Sequence, residues 1–228
     1  MNGSKTAVVL GATGMIGQEL TQLLLSDPEY SAVRVLVRKP VGIQHPKLEV
    51  MITNFDDLDT VGKNMGKGDI IFSCVGTTQK KVKGDKGLYR KVDHDIPVNA
   101  ARLAQAAGFS TFLLVSSVGA NVNSSSFYLR LKGEVEESLS KIGIESLHIF
   151  QPSMLLGSRK EQRPAEVFFQ KTFKAIAGLL AGKLRKYRPI EGATVARAMV
   201  QAAKHNKPGK HIYTYVEMAA LQAGAAGG

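Results

Sequence analysis

At 228 residues, 44% of them hydrophobic and 21% charged, the chain is long enough to bury a full core, and its body is too apolar to be disordered. A single cysteine, Cys74, excludes an internal disulfide and a cysteine-only metal cage, and no apolar run is long enough to cross a bilayer. The net charge of +11 asks for an anionic ligand, an acidic partner or simply a solvated basic face. The first apolar run is too short for a signal peptide, so the expectation is a soluble, cytoplasmic protein with no membrane association.

Thr6–Leu10 is a short apolar run with two valines, the pattern of a strand covered on both faces. Gly11-Ala12-Thr13-Gly14-Met15-Ile16-Gly17 follows at once, and then Ile16, Leu20, Leu23 and Leu24 recur at helical spacing. A turn of this kind between a strand and a helix points free backbone N–H groups and the positive helix end at one spot, which suits a pyrophosphate. The glycines allow a tight turn, close approach of a phosphate and close packing of helix on strand. Val33–Val37 reads as the second strand. The position just past such a strand faces the adenosine ribose, and here it holds Arg38 and Lys39 with no acid until Glu49. Two cations there stabilise a 2′-phosphate that a carboxylate would repel, so the expected cofactor is NADP(H).

Leu48–Thr53 reads as strand three, with Asn54 a candidate for the adenine edge and Asp56 or Asp57 capping the next helix. Asp69–Val75 is strand four, ending at Gly76-Thr77-Thr78, where a small residue lets the chain pass close beneath the nicotinamide ribose. Cys74 reads as a small buried residue rather than a reactive thiol. A helix is expected near Val92–Ala107, then strand five at Ser110–Val115, ending in Ser116-Ser117. Phe127–Ile142 reads as a helix that carries Tyr128 and Lys132 four apart on one face. A phenol is a poor acid or base near neutrality, and a nearby ammonium favours its phenolate. Tyr128 is therefore the expected proton donor or acceptor, with Lys132 tuning it and holding the nicotinamide ribose, and Ser117 holding the substrate oxygen. Ser116 and Ser117 face opposite ways along the strand, and Ser117 is chosen.

Glu145–Phe150 is strand six, with His148 read as a core residue because no second ligand stands at metal spacing. A helix near Ala165–Leu180, a helix over Thr194–His205 and a last strand over Lys210–Val216 complete the order. Basic residues gather in Gln79–Lys91 (Lys80, Lys81, Lys83, Lys86, Arg90, Lys91) and in Lys183–Arg188. No stacking aromatics, helix-turn-helix or zinc pattern accompany them, which argues against nucleic acid.

Together, Gly11–Gly17, Arg38-Lys39, Val75–Thr78, Val115–Ala120 and Tyr128–Glu134 resemble the short-chain dehydrogenase/reductase superfamily. The match is closer to its atypical branch, that of the Tat-interacting, metastasis-suppressor oxidoreductases and their bacterial relatives. Phe150–Gly157 and Arg159–Pro164 extend the resemblance. It implies an α/β, Rossmann-type doubly wound, mostly parallel sheet with a small C-terminal substrate-side region. One NAD(P)-binding domain would cover 1–218, with substrate-side elements within 153–190 and an Ala/Gly-rich tail over 219–228. Gly11, Thr13, Gly14, Met15, Ile16 and Gly17 would hold the pyrophosphate, Val75 and Gly76 would line the cofactor, and Leu155 and Arg163 would make later cofactor contacts. The resemblance implies NADPH-dependent hydride transfer to or from a small carbonyl or alcohol. The alternative is an NADP(H)-binding redox sensor without turnover. A homodimer or a regulatory protein partner stays open. One departure stands out: many superfamily members place an asparagine where Asp93 stands here, which changes the charge of the proton relay.

Overall fold

The computed structural model describes residues 4–156, 182–205 and 207–224. Its centre is a seven-stranded sheet of β1 (Lys5–Leu10), β2 (Tyr30–Val37), β3 (Leu48–Ile52), β4 (Ile70–Ser73), β5 (Thr111–Val115), β6 (Ser146–Phe150) and, last in the chain, β9 (Gly209–Tyr213). The strands lie in the order β3-β2-β1-β4-β5-β6-β9, and every neighbouring pair is parallel. This is the doubly wound, Rossmann-like arrangement that the sequence predicts. Between β1 and β4 the order of winding reverses. Connections leave in opposite directions there, and the carboxyl ends open into a crevice.

Both faces of the sheet are covered, and β1 shows why the sequence demands it. Ala7 and Val9 point into one core with Ile16, Leu20 and Leu24 of α1 (Met15–Ser26) and Val195, Met199 and Ala202 of α6 (Gly192–His205). Val8 and Leu10 point into the other core. There they meet Val61 of α2 (Leu58–Met65), Val98 and Ala101 of α4 (Ile96–Ala106), and Val135 and Leu139 of α5 (Phe127–Ser140). Side chains alternate across a strand, so an uninterrupted apolar run is stable only between two helical layers. Each such valine or leucine contributes roughly 1.5–3 kcal/mol on full burial.

Three local features depart from the sequence expectation. The helix expected near Val92–Ala107 starts earlier. It runs as α3 (Lys86–Arg90), a π turn over Lys91–Asp95, and α4. Asp85 caps its start by accepting from the Leu88 N–H at 3.0 Å. Pro97 has no N–H to return to the Asp93 carbonyl, so the ordinary helical ladder cannot continue there; instead the Ile96 N–H reaches back to the Lys91 carbonyl. The last strand, expected to reach Val216, ends at Tyr213, and α7 (Tyr215–Gly224) follows. Thr214 starts that helix: its N–H and its hydroxyl both donate to Glu217 Oε2, at 2.8 and 2.5 Å. Residues 219–224 are thus helical rather than a loose tail, and Met218 is fully buried. A two-stranded parallel pair, β7 (Leu155–Leu156) with β8 (Ile190–Glu191), lies outside the main sheet. The helix expected near Ala165–Leu180 lies outside the described residues. Among the described residues no helix is long and apolar enough to cross a membrane.

His148 sits in the core as the sequence suggests. Its Nε2 meets Ser146 Oγ and its Nδ1 meets the Tyr213 hydroxyl, both at 2.8 Å, and its ring stacks 5.1 Å from that of His211. Burial, with His211 adding to it, pushes the imidazole from 6.5 down to about 4. The unfolded chain binds that proton first, so the stabilisation from neutral His148 is whole above pH 6.5 and lost as pH falls toward 4. The loss is on the order of 3 kcal/mol. In a His148→Gln variant, melting temperature should fall less steeply between pH 6.5 and 4 than in the parent; identical slopes would refute this.

Candidate active site

The crevice begins at the glycine turn. Gly11 has φ +77°, and a Cβ there would meet the Cys74 carbonyl carbon at 2.7 Å. A Cβ on Gly17 would lie 2.1 Å from the Gly11 oxygen. Gly11 therefore sets the turn against the chain leaving β4 and Gly17 sets α1 against the turn, while Thr13, Gly14, Met15 and Ile16 form the open rim. The N-cap residue Gly14 offers no side-chain cap, and the first turn of α1 carries no acid. The leading N–H groups of α1 and the positive end of its dipole are left for an anion.

The cavity above this rim has a volume of about 450 Å³, within the range of small-molecule sites. Its other walls come from three strand ends: Cys74, Val75, Gly76 and Thr77 after β4, Ser116 and Ser117 after β5, and Pro152 and Ser153 after β6. Leu155 of β7 and Tyr128 and Lys132 of α5 close it. Burial pushes the Cys74 thiol up to about 12, which agrees with an inert cysteine.

Of the site residues expected from the sequence, Thr13, Gly14, Met15, Ile16, Val75, Gly76, Ser117, Tyr128, Lys132 and Leu155 line this one cavity. Arg38 and Lys39 do not line it. They stand exposed just past β2, one strand over from the glycine turn, because Leu36 pairs with Leu10. Asn54 is exposed, outside the cavity lining, and its Oδ1 accepts from the Asp56 N–H at 3.1 Å. Asp57, not Asp56, caps α2, accepting from Asp59 and Thr60. Arg163 lies outside the described residues.

Two serines face different work. Ser116 is buried and donates to Glu136 Oε1, and Gln151 Nε2 donates to both oxygens of that carboxylate at 2.9 and 3.0 Å. Burial raises the Glu136 carboxyl against the pull of these donors and of Lys210 and Lys132. Ser117, half-buried, makes among the described residues only a long 3.5 Å contact to the Val118 carbonyl. The spacing that relates Tyr128 to Lys132 continues to Glu136, so the sequence carries a signal for this third member of the stripe.

Lys132 is 2.9 Å from Asp93 Oδ1, with both side chains almost fully buried. Asp93 Oδ2 accepts from the Thr77 N–H at 2.8 Å. The π turn is what carries Asp93 into this position. Lys132 Nζ also lies 5.9 Å from the centre of the Tyr128 ring. Tyr128 is 37% exposed, and among the described residues its hydroxyl has no protein partner. Lys80 and Lys81 reach the same cavity, a contribution that spacing alone does not single out from the rest of the basic cluster.

Residues 11–206 match the model of a protein family described as NAD(P)H-binding. The chain belongs to the NAD(P)H-binding family. It is 33% identical over 200 residues to Protein HTATIP2 of Rattus norvegicus, covering 86% of this chain and 80% of that protein. It is also 33% identical over 200 residues to Protein fmp52, mitochondrial, of Aspergillus fumigatus, covering 85% of each. The solved Bordetella bronchiseptica enzyme WbmH, in complex with NAD+, superposes with a TM-score of 0.70 over 97% of this chain and 82% of that one, at 17% identity, a likeness of fold. The crevice of this NAD(P)H-binding protein fits its family's nucleotide on its own terms, since the uncapped, acid-free start of α1 stands at the rim of a cavity of about 450 Å³.

Asp93 is the partner on which the buried Lys132 depends. Replacing it, as Asp93→Asn, keeps an acceptor for Thr77 but leaves the ammonium without its counter-charge. The expected loss is about 3–5 kcal/mol in urea unfolding at neutral pH; a loss under about 1 kcal/mol would mean that water reaches and solvates Lys132.

Proposed function

We propose that the protein is an NADPH-dependent oxidoreductase of the atypical short-chain dehydrogenase/reductase type, acting on a small carbonyl compound or the corresponding alcohol. The observation that carries this reading is that Tyr128, Lys132 and Ser117 share one cavity with the glycine turn. The residues of that turn would hold the pyrophosphate through the leading N–H groups of α1, and Val75 and Gly76 would line the cofactor. When bound there, the reduced nicotinamide would supply the hydride that the carbonyl carbon needs. Ser117 Oγ orients the carbonyl oxygen, and Tyr128 Oη gives its proton to that oxygen as the C=O electron pair moves onto it, leaving an alcohol. Lys132 would hold the ribose hydroxyls, and its charge favours the phenolate of Tyr128.

Arg38 and Lys39 take the 2′-phosphate. Both are exposed at the carboxyl edge, and among the described residues neither is in an ion pair. Replacing both by alanine should weaken NADPH binding roughly 10- to 100-fold and leave NADH binding within about twofold, by titration of intrinsic fluorescence. An equal loss for both nucleotides, or no loss, would overturn the phosphate assignment.

One observation favours a second reading, a nucleotide-binding sensor without turnover: Asp93 already occupies Lys132, and so competes with ribose and phenol for that ammonium. Tyr128→Phe separates the two. In the enzyme it lowers carbonyl-dependent NADPH oxidation by about 10²- to 10⁴-fold while NADPH still binds. A parent protein that binds NADPH but oxidises it with no carbonyl in a broad screen would favour the sensor.

A further inference from the structure

A second cavity, of about 540 Å³, adjoins the crevice and shares Thr77, Thr78 and Tyr128 with it. Three aromatic rings wall it. Tyr89 stands edge-on to Phe127, with centroids 5.8 Å apart at 88°, and edge-on to Tyr128, at 6.3 Å and 68°. Tyr89 is buried, and its hydroxyl donates to the Thr77 carbonyl at 3.2 Å, so it offers the cavity ring surface rather than a polar tip. At the far side Lys86 Nζ rests 5.6 Å from the Phe127 ring centre. Among the described residues Lys86 has no ion-pair partner, and no carboxylate lines the cavity. The nearest acid along the chain, Asp85, is spent on capping α3. Arg90 and Lys91 of the same basic cluster are neutralised by Glu134 and Asp56.

From this we infer that the second cavity is a substrate subsite for an aromatic aldehyde or ketone that also carries a carboxylate. Its ring lies among Tyr89, Phe127 and Tyr128, its carbonyl is at the Tyr128 hydroxyl, and its carboxylate is on Lys86. The inference rests on the oxidoreductase reading for the reaction itself, in which the carbonyl gains hydride from NADPH and a proton from Tyr128. The ring walls favour a flat ligand because aromatic edges and faces attract one another. The cation sets its charge, since a carboxylate gains an ion pair with Lys86 that a neutral ligand lacks and a cationic ligand is repelled.

The probes are 4-carboxybenzaldehyde against benzaldehyde for turnover with NADPH, and 4-(hydroxymethyl)benzoate against benzyl alcohol for binding to the NADP+-loaded protein. The carboxylated member of each pair should be favoured at least tenfold, through KM rather than kcat in the kinetic pair. Lys86→Gln should bring both ratios close to one, and Phe127→Leu should raise KM for both aldehydes. If the carboxylated alcohol binds in a Lys86-dependent way but neither aldehyde is reduced, the subsite stands and the oxidoreductase reading fails. If both aldehydes are reduced with equal kcat/KM, or Lys86→Gln leaves the ratios unchanged, the subsite assignment falls and the oxidoreductase reading survives.

Discussion

The contact between Lys132 and Asp93 joins three parts of the chain that have no reason to meet otherwise. Lys132 comes from α5, Asp93 from the π turn before α4, and the Thr77 N–H that completes the cluster from the loop after β4. Removing an ammonium and a carboxylate from water costs several kcal/mol each, and their attraction offsets that only when the geometry is good and remaining valences are satisfied. The pair is therefore weak evidence for stability and better evidence for position. Tyr128 lies one turn before Lys132 on the same helix, and Glu136 lies one turn after it, tied to Ser116 and Gln151. Of three successive turns of α5, one is tied to the ends of β5 and β6 through Glu136, one to the π turn through Lys132, and the first presents its phenol to the cavities. Gly133, between the two anchors, lets the helix lie against the backbone of Asn121 and Val122, where a Cβ would come within 2.4 Å.

The surplus of positive charge is distributed with the same economy. Carboxylates elsewhere neutralise much of the basic surface: Glu29 and Asp27 hold Lys204, Glu49 holds Arg34, and Glu137 holds Lys141. Five cations without such partners among the described residues, Arg38, Lys39, Lys80, Lys81 and Lys86, stand on the carboxyl side of the sheet, the side of the uncapped end of α1. A helix end and several cations facing one crevice create a field that draws anions and concentrates them there. The basic cluster seen in the sequence at Gln79–Lys91 thus divides by function. Part of it faces the cavities, and part is neutralised on the outer side.

The architecture was legible because a parallel sheet buried on both faces leaves apolar runs that no solvated element can carry. The glycine turn and the Tyr128–Lys132 spacing were legible for a similar reason, since each encodes a short-range geometry. What escaped the sequence depends on long-range partners or on very small elements. Nothing local announces that Asp93 will meet Lys132, 39 residues away. The π turn follows from Pro97 but mimics an ordinary helix start, and two-residue strands carry no periodicity. The end of β9 was a conflict between signals. The Ile-Tyr-Thr-Tyr-Val run favours a strand, while Thr214 and Glu217 spell a helix start, and the hydrogen bonds of the cap prevail.

The two cavities meet at Tyr128, Thr77 and Thr78, and that meeting constrains any chemistry in a way that neither cavity does alone. A molecule in the crevice and another in the aromatic cavity can touch only across this short boundary. Tyr89 fixes the boundary from behind, since its hydroxyl holds the Thr77 carbonyl while Asp93 holds the Thr77 N–H. Both backbone groups of one residue are thereby locked to side chains from the α3 to π-turn stretch. The same stretch that positions Lys132 through Asp93 also shapes the aromatic wall through Tyr89. Anything that unwinds Lys86–Asp95 therefore loosens both cavities together, and the proton-bearing phenol between them loses its bearings on both sides at once.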